Sequence, residues 1–151
     1  MTMALAYLLD TSIYSQPLKP TPNANVVARW KTLGDGPLAI SVITEAELRY
    51  GLALKGSAKL DAAYAALLKG RFPVLPVDQV VGDVFAEMKA TQQRAGKPVA
   101  DLDLLIAATA RTHGLIVATL NIRHFTLIAD LVVEDWSLSE LPPDDQPRPS
   151  P

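Results

Sequence analysis

Apolar positions along the chain fall into short continuous blocks that alternate with longer stretches of helical periodicity. Residues 4–9 are an apolar run that ends abruptly at Asp10, the pattern of a buried strand entering a polar turn. Residues 38–40, 74–77, 115–119 and 131–133 are further strand candidates, the second of these broken by Pro76. Between them, Val26, Val27, Trp30 and Leu33 share one helical face, and Gly34 and Gly36 stop that helix. Residues 44–54 read as a second helix. Leu60, Ala63, Tyr64, Leu67 and Leu68 repeat at helical spacing until Gly70, and Val80, Val81, Val84, Phe85 and Met88 do so until about Gly96. Residues 101–112 form another helix, with Gly114 as its C′ residue. Pro17, Pro20 and Pro22 make residues 16–25 a loop. Strands of three to six residues alternating with helices predict an α/β domain on a mainly parallel sheet.

Length and composition narrow the class. A chain of 151 residues favours one domain, and 49% apolar against 20% charged residues marks it as globular. With no cysteine, disulfide frameworks, thiolate catalysis and cysteine-bound metal centres are excluded. His113 and His124 are the sole histidines, which removes a multi-histidine cage. The segment MTMALAYLLDTS has no basic residue ahead of its apolar run, so it makes a poor signal peptide. No apolar stretch approaches the ~20 residues of a membrane span, so a cytoplasmic protein with no membrane partner is expected. Residues 138–151 hold five prolines, with Glu140, Asp144 and Asp145 against Arg148. They are expected to be a flexible acidic tail on a domain of residues 1–137. Outside that tail, acids and bases balance, so the sequence lacks the basic excess of many nucleic-acid binders. Any contact with nucleic acid must come from local clustering, from pairing of chains, or through metal ions.

Sites in open parallel sheets form beyond the carboxyl ends of the strands. Asp10-Thr11-Ser12 and Asn121 stand there. Two acids in helical segments rich in apolar and small residues join them: Glu47 in ITEAELRYG and Asp103 in ADLDLLIAATA. Each has a plainer reading. Asp10 suits a turn starter or helix cap. Thr44-x-x-Glu47 matches a capping box. Asp103 suits a first helical turn, with Asp101 the better N-cap candidate. Asn121 suits a turn, and His124, in an expected loop, suits a surface or structural role. Taken together, Asp10, Glu47 and Asp103 gather at one sheet end. Three carboxylates at close range require a cation. A hard oxygen set without sulfur or a histidine pair selects Mg²⁺ or Mn²⁺. Such a cluster points to phosphoryl chemistry.

The segments LLDTS, ISVITEAELRYG, DLDLLIAATA and IVATLNIRHF, in this order and at these spacings, resemble the PIN-domain ribonucleases. The likeness is greatest to the VapC toxins of toxin–antitoxin pairs, in their FitB-like branch. It covers about residues 5–136. The resemblance implies a three-layer α/β/α fold with about five short strands in the order 3-2-1-4-5, and a Mg²⁺-dependent endoribonuclease. It places the metal-binding acids on Asp10, Glu47 (not Glu45) and Asp103 (not Asp101), with Thr11 or Ser12 supporting Asp10. The fourth acidic position of the family falls on Asn121, which lowers the site's formal charge to three negatives. It also implies an RNA substrate, a small antitoxin that inserts a segment into the groove, a homodimer, and DNA contact only through the antitoxin. Pairing of two chains would bring Arg49, Lys97 or Arg123 beside the cleft. A PIN-like binding module without activity is the alternative. A phosphorylated Asp10 is disfavoured because Ser12 replaces the second aspartate that such phosphatases need, and no G-x-G-x-x-G turn supports a dinucleotide site.

Overall fold

The computed structural model describes residues 4–139. Strands β1 (Tyr7–Leu9), β2 (Leu38–Ser41), β3 (Val74–Leu75), β4 (Ile116–Thr119) and β5 (Val133–Asp135) form one sheet in the order β3-β2-β1-β4-β5. All four pairings are parallel. The helices are α1 (Thr11–Tyr14), α2 (Ala24–Leu33), α3 (Val42–Lys55), α4 (Ala58–Leu67), α5 (Gln79–Arg94), α6 (Asp101–His113) and α7 (Ile122–Thr126).

Side-chain alternation along the strands divides the core in two. Leu9, Leu38, Ile40 and Ala118 face a cluster supplied by α1 to α4, with Tyr14, Trp30 and Leu52 among its members. Leu8, Ala39 and Val117 face a second cluster supplied by α5 to α7, with Met88, Ile106 and Phe125. The result is the expected α/β/α sandwich. Leu8 and Leu9 are both fully buried, and burial stabilises each by roughly 1.5–3 kcal/mol. Ala107, Ala108 and Ala110 on α6 are also fully buried, so small side chains let that helix approach its neighbours closely. α5 and α6 are the most extensively packed helix pair. Gly114 adopts the left-handed conformation at φ 66°, as its place after α6 predicts, and this frees the chain to turn into β4.

Several boundaries differ from those read along the sequence. The last strand is Val133–Asp135 rather than 131–133: Leu131 packs beneath the sheet, whereas Val132 is exposed. Glu134 and Asp135 are tolerated in this edge strand because Arg29 pairs with Glu134 and Asp135 accepts from the Ser137 amide at 2.8 Å. The proline-containing loop holds a 3-10 turn, Gln16–Leu18, and gives way to α2 at Ala24. The Gln16 amide fastens this loop, donating to the Ser12 carbonyl (3.0 Å) and accepting from the Asn23 amide (2.8 Å). Asn23 then caps α2. His124 lies in α7, not in a loop. Trp136 is buried against Tyr7 in an edge-to-face contact. Residues 140–151, most of the proposed tail, lie outside the described residues.

Candidate active site

In the order β3-β2-β1-β4-β5, successive strands step to one side of β1 and then resume on its other side at β4. The topological switch point therefore lies between the carboxyl ends of β1 and β4. Asp10 leaves β1 at this point and Asn121 follows β4. A cavity of about 400 Å³ opens there; Asp10, Thr11, Ser12, Glu47, Asp101, Asp103, Asn121 and His124 are its polar lining. All four residues expected to form the site thus reach one cavity, and His124 joins them.

Asp10 is 4% exposed. Its Oδ1 accepts from Ser12 Oγ (2.6 Å) and from the Ile13 amide (3.1 Å), so it also caps α1. Its Oδ2 accepts from Thr119 Oγ1 at 2.5 Å. The two hydroxyls are themselves held by the backbone beyond β4: Leu120 N donates to Ser12 Oγ (3.0 Å) and Asn121 N to Thr119 Oγ1 (2.8 Å). This network laces the ends of β1 and β4 together. Burial pushes the Asp10 carboxyl above its ordinary value of 3.8, and it outweighs the hydrogen bonds from Ser12, Thr119 and Ile13 that pull the other way.

Glu47 is not part of a capping box. Ser41 caps α3 by accepting from the Ile43 amide (2.9 Å), and the helix begins at Val42. Thr44 is therefore inside the helix, where its hydroxyl donates to the Leu9 carbonyl at 3.3 Å. Glu47, one turn further, accepts from Thr11 Oγ1 at 2.7 Å. Asp101 is not the cap of α6 either. Ala100 holds that position without a side-chain bond, and Asp101 pairs with Lys89 at 2.9 Å. Asp103, in the same turn, approaches His124 Nδ1 at 3.3 Å. Asn121 precedes α7 and its side chain makes no capping bond.

Among the described residues, no three His, Asp or Glu side chains converge closely enough to hold one ion as they stand. The expected gathering around a point is therefore a shared cavity, with each acid fastened to its own partner: Asp10 to Ser12 and Thr119, Glu47 to Thr11, Asp103 to His124. The donor chemistry still suits a hard divalent cation. Four carboxylates (Asp10, Glu47, Asp103 and the Lys89-paired Asp101) and the Asn121 amide line the cavity without sulfur. Asp10 uses three of the roughly four acceptor sites that a carboxylate offers.

Thr119 is not singled out by the sequence, and His124, expected in a loop with a surface or structural role, instead lines the cavity from α7. Thr119 ends an apolar strand as Asp10 follows one, and that repeated pattern was the available signal. His124 stands three residues past Asn121, a spacing that places both on one side of a helical turn once α7 is recognised. Arg49, Lys97 and Arg123 do not line the cavity; Arg49 borders a groove between α3 and α4.

Comparison with known proteins agrees with this architecture. The PIN domain family model matches residues 7–131. Toxin FitB of Neisseria gonorrhoeae is 37% identical over 137 residues, covering 85% of this chain and 97% of FitB. The tRNA(fMet)-specific endonuclease VapC of Shigella flexneri is 35% identical, covering 88% of this chain and 99% of that protein. In three dimensions the chain resembles FitAB bound to an IR36 DNA fragment, with a TM-score of 0.81 at 34% identity, covering 89% of this chain and 98% of that one. Strand order, switch-point cavity and these likenesses together establish that the chain belongs to the PIN-domain family and, within it, to the VapC group that includes FitB.

Proposed function

We propose that this chain is a divalent-metal-dependent endoribonuclease and the toxin of a toxin–antitoxin pair. The observation that carries this reading is the arrival of Asp10, Glu47, Asp103 and Asn121 at one switch-point cavity in a member of the VapC group. Asp10, Glu47 and Asp103 would hold Mg²⁺ or Mn²⁺, with the Asn121 carbonyl oxygen in support. When bound, the ion supplies an activated water and offsets charge developing at phosphorus. The protein's own contribution is positional. Ser12 and Thr119 fix both oxygens of Asp10, Thr11 fixes Glu47, and His124 steadies Asp103. The nuclease unit is residues 1–137. Its protein partner is a small antitoxin, a reading supported by the likeness to FitAB and VapBC solved with DNA; a second copy of the chain and DNA contact through the antitoxin complete the proposed assembly. The site of action is the cytoplasm.

Asn121, in place of a fourth carboxylate, favours a second reading as a binding module without activity. One experiment separates the two. The full chain, stripped of metal, is incubated with end-labelled single-stranded RNA, with and without Mg²⁺ or Mn²⁺, beside Asp103→Asn. Cleavage by wild type alone, and only with metal, is expected. RNA left intact by wild type with either ion would overturn the nuclease reading.

A further inference from the structure

A second groove, about 240 Å³, shares Thr11 and Glu47 with the carboxylate cavity and continues away from it. One wall is a single stripe of α3. Glu47, Gly51 and Lys55 are spaced i, i+4, i+8, so they run along about 12 Å of helix from the carboxylate to an ammonium. Gly51 leaves the middle of this stripe open: a Cβ placed there meets no heavy atom within 4 Å. The facing wall ends in Lys19, just past the 3-10 turn. Leu18 and Leu60 provide apolar lining, both half-buried. Lys19 and Lys55 are exposed, and neither side chain has a hydrogen bond or ion pair within the described residues.

A cavity lined with carboxylates repels a polyanion, and the chain as a whole carries −2. Affinity for a phosphodiester strand must therefore come from cations near the cavity but outside it. Two ammonium groups without a partner among the described residues, over an apolar lining and in a groove opening directly into the carboxylates, supply what a single strand needs: charge for its phosphates and an apolar surface for a base.

We infer that Lys19 and Lys55 form a subsite for single-stranded RNA, holding the phosphate of the nucleotide next to the scissile bond and so fixing the direction in which the strand crosses the carboxylates. The inference rests on the proposed nuclease reading, and its test is independent of cleavage. Fluorescein-labelled single-stranded RNA is titrated with the metal-free full chain at several salt concentrations, followed by anisotropy. For the double variant Lys19→Gln/Lys55→Gln, loss of two phosphate contacts lowers the slope of log affinity against log salt by about 1.4. Affinity at about 50 mM salt falls on the order of tens of fold, and the difference closes toward about 1 M. Lys31→Gln, on α2 and lining a different cavity, leaves slope and affinity unchanged. Gly51→Leu fills the groove without altering charge, and weakens binding at every salt concentration with the wild-type slope.

Unchanged slope and affinity in the double variant would overturn the subsite and leave the groove to a protein segment. Absence of RNA binding by wild type, or an equal loss in Lys31→Gln, would overturn it as well. If the double variant loses RNA affinity but wild type cleaves nothing, the two lysines stand as a single-strand binding site, while the nuclease reading and the placement beside a scissile bond fall.

Discussion

Asp10→Asn separates chemistry from stability more cleanly than any other single change. In the native protein the carboxylate accepts three hydrogen bonds while only 4% exposed. The substitution preserves shape. The remaining oxygen keeps Ser12 and Ile13, and the new amide faces Thr119 Oγ1, which already accepts from Asn121 N and has a second lone pair free. The Thr119 hydroxyl proton then loses its acceptor, costing about 1 kcal/mol, at most about 3 in this fully buried position. Against that stands relief of a buried charge. Burial raises the Asp10 carboxyl above 3.8, so its charge is costlier in the folded protein than in the unfolded chain, and each unit of such a shift is worth about 1.4 kcal/mol. The two effects oppose one another, so net stability at pH 7 changes by no more than about 2 kcal/mol, with Tm moving by less than about 8 °C. The sign of the pH dependence follows from linkage. Between 3.8 and the raised native value the folded state binds more protons than the unfolded chain, so wild-type stability falls as pH rises through that window. The variant lacks this contribution, and its stability relative to wild type is lowest below 3.8 and highest above the window. Cleavage should drop by at least about 100-fold, because charge placed for the reaction is its principal resource. Unfolding alone would need to remove the whole stability of the domain, roughly 5–15 kcal/mol, before activity fell that far. Calorimetric melts with and without Mg²⁺ complete the test. At a hundred times its dissociation constant the ion should stabilise wild type by about 2.7 kcal/mol and leave Asp10→Asn nearly unmoved. Equal Mg²⁺ stabilisation of both proteins, or a variant that cleaves, would refute the reasoning.

Other perturbations probe the same geometry. Glu47→Gln and Asp103→Asn should each abolish cleavage with melts near wild type, whereas Glu45→Gln and Asp101→Asn keep most activity in the same gel assay, since Glu45 is absent from the cavity lining and Asp101 is paired with Lys89. An active Asp103→Asn beside a dead Asp101→Asn would mean the wrong turn position on α6. Asn121→Asp should tighten Mg²⁺ or Mn²⁺ binding in calorimetric titration through added Coulomb attraction; equal affinities would put position 121 outside the ion's coordination shell. Asp35 is held below its ordinary 3.8 chiefly by its hydrogen bonds from Arg71, at 2.8 and 3.0 Å. Its contribution is therefore present above 3.8 and lost as pH falls through the lowered value. Because the pair is largely exposed, Asp35→Asn should cost less than about 1 kcal/mol at pH 7, by denaturant melts, and nothing once wild-type Asp35 is protonated.

The sequence alone determined the elements whose cause is local. The apolar run ending at Asp10, the helical spacing from Val80 to Met88 and Gly114 after α6 each carry their own conformational reason; the helix and the glycine are where the chain's pattern puts them, and the strand ends at Leu9 as expected but begins at Tyr7 rather than residue 4. The motifs around Asp10, Glu47, Asp103 and Asn121 also marked four residues that tertiary structure brings to one cavity, though their strand order came from family likeness and not from periodicity. What remained ambiguous was every feature with two locally acceptable answers. Thr44-x-x-Glu47 satisfies a capping box as a sequence, yet Ser41 begins the helix earlier, because β2 runs directly into α3 and delivers Thr44 to the Leu9 carbonyl. Residues 131–133 are the more apolar choice for the last strand, but pairing of Val117 with Val133 and Thr119 with Asp135 sets the register. Thr119 and His124 gain meaning only through partners 109 and 21 positions away, Asp10 and Asp103. A lone hydroxyl or imidazole has no periodicity to announce it. Its role is fixed by which side chain the folded backbone sets against it, and that is decided by long-range packing of the sheet.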